Sequence, residues 1–238
     1  MNSKVVKYFQ QVVTFYHRKK MFLFRAKVQA REKVRVLSFF LIFLFLFSGV
    51  SGLAFSRIRP ALRFGVGRAD LFGADCYRLE WKTVLSGGLT AEINVWKKLN
   101  LESGVLFMPG GAIYRSEDEE TGYQETVSLD YLAIPLLAKF HFWQNKNLAA
   151  YLAAGPAVLL NVGARLEVIS AGQKYSVKLD NLQGQELSFN LAAGAEMKTG
   201  AGFFLVELAY SQGTNSISRE PEEELKNRRV FCFLGFRF

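Results

Sequence analysis

The sequence predicts an all-β protein: an eight-stranded antiparallel up-and-down transmembrane β-barrel preceded by a signal peptide. Three observations predict it. The body of the chain alternates apolar and polar residues with a period of two rather than 3.6. Its connections alternate between short turns and long polar loops. The whole excess behind its +9 net charge lies ahead of that body.

Ten basic residues (Lys4, Lys7, Arg18, Lys19, Lys20, Arg25, Lys27, Arg31, Lys33 and Arg35) and one acid, Glu32, precede Phe55. From Phe55 onward twenty basic residues face twenty acidic ones, so the body is neutral. A basic domain built to bind nucleic acid is therefore excluded, and with half the chain hydrophobic so is disorder. Behind the basic stretch runs the apolar segment Leu37–Phe47, followed by the small residues of Ser48–Ala54. A basic region, a short apolar run and small residues at a cleavage site are the marks of a secretory signal peptide. The apolar run is about half the roughly twenty residues that a spanning helix needs, which argues against an anchor. Residues 1–54 are thus expected to be an export signal cut after Gly52 or Ala54. Its long basic portion fits a true start at Met21 or later. Residues 55–238 are expected to form the barrel. Two cysteines, Cys76 and Cys232, do not make a disulfide framework. One is expected in a long loop and the other in mid-strand, so no bridge between them is expected.

Eight period-two segments span roughly 61–69, 84–96, 100–115, 126–142, 147–165, 185–198, 203–212 and 228–238. Leu187–Lys198 shows the pattern: Leu187, Phe189, Leu191, Ala193, Ala195 and Met197 oppose Ser188, Asn190, Ala192, Gly194, Glu196 and Lys198. Short turns rich in Asn, Gly and Lys join segments two and three (Lys97–Asn100), four and five (Gln144–Asn147), and six and seven (Thr199–Gly202). Such turns read as hairpins. The other connections, 70–83, 116–125, 167–184 and 213–227, are longer and polar, and two hold the acidic runs Glu117–Glu120 and Glu222–Glu224. An even strand count with short turns at one end and long loops at the other describes an outer-membrane barrel. Lipid cannot satisfy a sheet edge, so such a sheet must close.

The last segment orients the faces. Val230, Cys232, Leu234, Phe236 and Phe238 share one uncharged face, assigned to lipid, while Arg237 shares the other with Phe233 and Gly235. The same parity places Arg63, Glu92, Glu102, Lys139, Glu196, Glu207 and Arg237 in the lumen. Eight strands leave an interior just wide enough for side chains, so these mixed charges are expected to pair across it and plug it. Gly104, Gly155, Ala157, Gly163 and Gly194 are expected inside as well, suiting a narrow lumen. Trp96 and Trp143 beside short turns, and Tyr131 and Tyr210 near long loops, are expected to form aromatic girdles. A soluble ligand-holding barrel would need an apolar interior, the reverse of what Glu92, Glu196 and Glu207 imply.

The signal segment, the stretch Leu129-Asp-Tyr-Leu-Ala-Ile-Pro-Leu-Leu-Ala-Lys-Phe140, Tyr151-Leu-Ala-Ala-Gly-Pro156 and the terminal Phe238 together resemble the PorT-like outer-membrane β-barrel family. The resemblance spans Ala61 to Phe238. It implies an eight-stranded barrel in a Gram-negative outer membrane, and Phe236 and Phe238 as the signal read by the outer-membrane assembly machinery. Most such proteins have no assigned activity, and the secretion role of the name-giving member does not pass to this chain by likeness alone.

The residues show little chemistry. His141 is the body's single histidine and is expected at the membrane rim near a short turn. A Ser-His-acid hydrolase would need partners brought to it. The cysteines and histidine lack metal-ligand spacing, and Glu117–Glu120 reads as a solvated loop. Gly65-Val-Gly67 lacks the rest of a phosphate loop and lies within a strand. No cofactor, metal or nucleic acid is expected. The expected partners are outer-membrane lipids, the assembly machinery and an unidentified protein at the long loops. The expected role is structural or interactive in the cell envelope, associated with secretion or the envelope itself, and not enzymatic. The alternative is a small outer-membrane enzyme acting on lipid, or a small-solute conduit.

Overall fold

The computed structural model describes residues 58–73, 79–116, 123–170, 173–179, 181–219 and 224–238. The expected signal peptide (1–54), Cys76 and the Glu117–Glu120 run lie outside these residues.

The strands are β1 (Ile58–Phe72), β2 (Leu79–Glu80), β3 (Lys82–Trp96), β4 (Leu99–Phe107), β5 (Gly110–Arg115), β6 (Gln124–Gln144), β7 (Leu148–Ser170), β8 (Gln173–Lys178), β9 (Gln185–Lys198), β10 (Phe203–Gly213) and β11 (Lys226–Arg237). Eight of them form a ring in the order β1, β3, β4, β6, β7, β9, β10, β11, and the β1–β11 ladder joins its first and last members. Every pair in the ring is antiparallel. No ring strand keeps a free edge, which is what a hydrocarbon surround demands. The all-β barrel expected from alternation is the fold observed.

Strands and loops divide differently from the expectation at the long-loop end. The 167–184 connection folds back as a ribbon, with β8 paired to the upper part of β7 from Arg165↔Lys178 to Ser170↔Gln173. The 70–83 connection is shortened by β1 running on to Phe72 and by β2, which pairs with β5. At the other end the turn between β3 and β4 narrows to Lys97 and Lys98, with a bulge between Asn94 and Trp96. Near the base of the β5–β6 connection, burial and then the bond Tyr123 donates to Glu125 push the Tyr123 phenol above its ordinary range.

Alternation sorts the side chains. Phe64, Val66, Leu85, Leu89, Leu208 and Leu234 stand exposed on the outside, Leu85 at 71%. Phe231 and Phe233 are buried inside, and each faces a glycine on β1: Gly67↔Phe231 and Gly65↔Phe233. A Cβ at Gly65 would stand 2.5 Å from the Phe233 ring, and one at Gly67 2.3 Å from the Phe231 ring. These glycines make room for two aromatic rings in a narrow interior.

A bulge between β6 and β7 corrects the expected facing of Gly163. Asp130 pairs with Gly163 and Tyr131 with Asn161, so Val162 has no partner and the parity of β7 flips. Leu159 is buried before the bulge and Ala164 after it. Gly163 therefore faces outward beside the Asp130 side chain, 3.2 Å from where its own Cβ would stand.

A second irregularity lies where β4 gives way to β5, which continues along β6 in the same direction. Met108 and Pro109 interrupt the strand, and Gly111 then takes φ 110°. Its N–H donates to Asn227 Oδ1 at 3.3 Å, and a Cβ there would come within 2.0 Å of Val127 O. Both the left-handed backbone and the lack of space select glycine. Gly111→Ala should destabilise the refolded barrel by about 1–3 kcal/mol, read as a lower urea midpoint for loss of the fast-migrating folded band on unheated gels.

Candidate functional site

Every second residue of each ring strand points inward, and toward the short-turn end those positions carry charge. The seven residues singled out by parity, Arg63, Glu92, Glu102, Lys139, Glu196, Glu207 and Arg237, are all buried inside the ring. They meet in one network. Arg63 Nη1 donates to Glu207 Oε1 at 2.8 Å and Nη2 to Glu102 Oε2 at 2.5 Å. Lys139 Nζ donates to Glu92 Oε2 at 2.9 Å and to Glu196 Oε1, and lies 3.7 Å from Glu102 Oε2. Arg237 Nη1 donates to both oxygens of Glu92 at 2.8 Å, while its Nη2 lies 2.7 Å from Glu196 Oε2.

Neutral groups join the network, while Glu102 Oε1 and the Nε atoms of Arg63 and Arg237 are buried without a hydrogen-bond partner among the described residues. Tyr151 donates its hydroxyl to Glu207 Oε2 at 2.7 Å, and its ring lies 3.8 Å from Lys139 Nζ. Asn100 donates to Glu92 Oε1. With Tyr151 from β7 included, each of the eight ring strands contributes a member. Three cations answer four carboxylates, and His141 Nε2 stands 3.6 Å from Glu196 Oε2.

His141 is therefore not a rim residue as expected. It shares the odd parity of Lys139 on β6 and is buried inside, tilted against the Tyr151 ring at 5.6 Å, with Nδ1 3.5 Å from Asn100 Nδ2. Tyr131 is corrected in the same way. Rather than belonging to a girdle, it is buried between the inward Leu129 and Ala133. Trp96 and Trp143 are exposed beside short turns, and Cys232 is exposed on the outer face.

Above the charged layer the interior turns apolar, with Leu106, Met108, Ala133, Leu159, Phe231 and Phe233 in one buried cluster. Above that, a second ionic group closes the long-loop side. Arg229 holds Glu186 with two parallel bonds of 2.8 and 2.9 Å, and both side chains are fully buried. Asn227 donates to Glu186 Oε2 at 2.6 Å and to the Tyr131 hydroxyl at 3.3 Å, and the Arg229 guanidinium lies 5.0 Å over the Tyr131 ring. Sequence reasoning missed this group. Its signal was parity: Glu186 lies in phase with Glu196 on β9, and Arg229 in phase with Arg237 on β11.

Among the described residues no group of three or more His, Cys, Asp or Glu side chains is placed to hold a metal ion. The geometry offers ion pairs closed on one another and an apolar layer between them.

The match to known proteins follows this geometry. Residues 47–219 fit the family model of the outer membrane protein beta-barrel domain. The chain belongs to that family. It is accordingly a protein of the outer membrane. No curated protein matches the chain. Among solved structures it is similar to Neisserial surface protein A at 12% identity and a TM-score of 0.43, covering 75% of this chain and 97% of that one. It is similar to Ail, the attachment invasion locus protein of Yersinia pestis, at 14% identity and a TM-score of 0.40, covering 76% and 98%. The outer membrane protease OmpT from Escherichia coli matches at 8% identity and a TM-score of 0.37, covering 76% and 95%.

Removing one partner of a buried charge pair leaves the other uncompensated and typically costs about 3–5 kcal/mol, whereas replacing both with apolar groups is often close to neutral. Lys139→Met should therefore destabilise the barrel by an amount in that range, read as a lower urea midpoint. Glu186→Leu should do the same by stranding Arg229, and Glu186→Leu with Arg229→Leu should recover most of the loss. A double mutant no better than the single one would show that Glu186 acts through contacts other than Arg229.

Proposed function

We propose that this family member is a non-conducting structural and interaction barrel of the cell envelope that works through its long loops. The observation that carries the reading is the filled interior: two ionic layers with buried Phe231 and Phe233 between them. An interior of this width is occupied by side chains, whereas an aqueous channel needs about 16–18 strands. The part left to meet other molecules is the long-loop end, where β2, β5 and β8 extend the sheet beyond the ring. An unidentified protein partner at those loops, associated with secretion or with the envelope, fits this arrangement.

The PorT-like reading within the family belongs to the same proposal. The two stretches that carry the likeness are neighbouring strands, Leu129–Phe140 in β6 and Tyr151–Pro156 in β7. Residues 1–54 serve as the export signal. Phe236 and Phe238, in edge contact at 5.1 Å, serve as the mark for the assembly machinery.

Catalysis has little support. The His141 ring faces Glu196, Asn100 and Tyr151, and among the described residues no serine or cysteine shares a hydrogen bond with it.

Planar bilayers receiving refolded protein should show no unitary conductance, and a steady single-channel current would overturn the plugged-barrel reading. Refolded protein given a fluorescent phospholipid should release no fatty acid. Turnover abolished by His141→Ala would replace the proposal with an enzyme.

A further inference from the structure

The outer face of the sheet is apolar through its middle and turns polar in two rows toward the long-loop end. Registered partners on adjacent strands share a face, so the pairing identifies the rows. In the lower row Tyr210 pairs with Val230, Val230 with Arg68, and Arg68 with Thr83. In the row above, Gln212 pairs with Arg228, and Arg228 with Asp70.

The two arginines are held differently. Arg228 Nη2 donates to Asp70 Oδ2 at 2.5 Å, and its guanidinium lies 4.9 Å from the Trp81 ring. Arg68 is exposed, and among the described residues its guanidinium has no hydrogen bond, ion pair or ring contact. Asp70, the one carboxylate in these rows, is already matched by Arg228, so among the described residues one positive charge stands unanswered.

Beside Arg68 the sheet carries a depression of about 560 Å³, walled by Val66, Trp81, Thr83, Leu208, Val230 and Cys232. Ile58 pairs with Ile93, three residues short of the exposed Trp96 at the short-turn rim, and Arg68 stands ten residues above Ile58 on β1. At about 3.4 Å per residue and a tilt of about 40° that is an axial rise of about 26 Å, against an apolar band about 25 Å tall. The guanidinium therefore lies at the edge of the hydrocarbon, at headgroup level on the long-loop side. In barrels of this kind that side faces the exterior.

An unpaired guanidinium above an apolar trough matches an amphiphile with an anionic head and an acyl tail. Arginine engages phosphate with two parallel donors, which a zwitterionic head answers less well because it brings its own cation. We propose that this groove holds a phosphate-bearing lipid of the outer leaflet, with the phosphate on Arg68 and an acyl chain along Val66, Leu208 and Val230. The site is independent of what the loops or the interior do.

The test uses the mature chain refolded in neutral maltoside micelles, with retained lipid counted by native mass spectrometry. Bisphosphorylated lipid A should be retained as a single bound copy, more tightly than phosphatidylcholine of equal chain length. Arg68→Gln should weaken lipid A binding about tenfold, the scale expected for losing a charge-assisted contact. Arg59→Gln, at the opposite end of β1, should leave it unchanged. Leu208→Trp, which fills the trough and keeps Arg68, should weaken it as well. Heat-modifiable migration certifies that each variant is folded. Equal retention of phosphatidylcholine and lipid A, or undiminished binding by Arg68→Gln, would overturn the phosphate assignment. Undiminished binding by Leu208→Trp would overturn the placement of the chain.

Discussion

Hydrocarbon offers a peptide group nothing to bond to, and the rest of this structure follows from that constraint. A sheet in lipid has to close on itself, and closing divides every strand into an outside that must be apolar and an inside that need not be. With eight strands the inside is too narrow for a column of water and too wide to be left empty. The chain fills it in layers. A network of arginine, lysine and glutamate lies toward the short turns, phenylalanine and leucine lie above it, and the Arg229–Glu186 pair lies toward the long loops.

The charged layers do more than occupy space. Burying ions is costly, and the cost is offset in so far as geometry is good and the remaining donors and acceptors are engaged; Glu102 Oε1 and the Nε atoms of Arg63, Arg229 and Arg237 go without a partner among the described residues. Here Glu92 accepts from Lys139, Arg237 and Asn100, and Glu207 from Arg63 and Tyr151. The arrangement also specifies register. Slipping any strand by one residue would exchange its faces, carrying Lys139 or Arg237 onto the lipid face, where a charge costs about 2–4 kcal/mol at the bilayer midplane and less toward the rim where these two lie. Phe140, now exposed outside between Lys139 and His141, would at the same time turn into the ionic layer.

What could be read from the sequence was what depends on parity alone. In β9 and β11 the alternation runs unbroken, so the facing of Glu196, Arg237 and Cys232 followed from counting by twos. Where alternation breaks, counting fails. The unpaired Val162 flips β7, which turns Gly163 outward, and no local residue type announces that event. Residue stereotypes misled in other places. Tyrosine near a loop suggests a girdle and histidine near a turn suggests a rim, yet Tyr131 and His141 obey the parity of β6 and lie inside. Glu186 and Arg229 stood near the uncertain ends of their segments. Their pairing depends on β9, β10 and β11 lying side by side, which no single segment records.

The division of the network between the first and last ring strands has a consequence for assembly. Arg63 belongs to β1 and Arg237 to β11, and the ring is completed only when those two strands meet. Until then Glu92 lacks Arg237 and Glu207 lacks Arg63, and both must keep water around them, so the half-built interior stays wet. Closure drives that water out and brings the final guanidinium into place in one event. The ion pairs thus act as a check on completeness: an open or mis-threaded sheet retains hydrated charge at its centre, and only the finished cylinder is dry enough to rest in the bilayer.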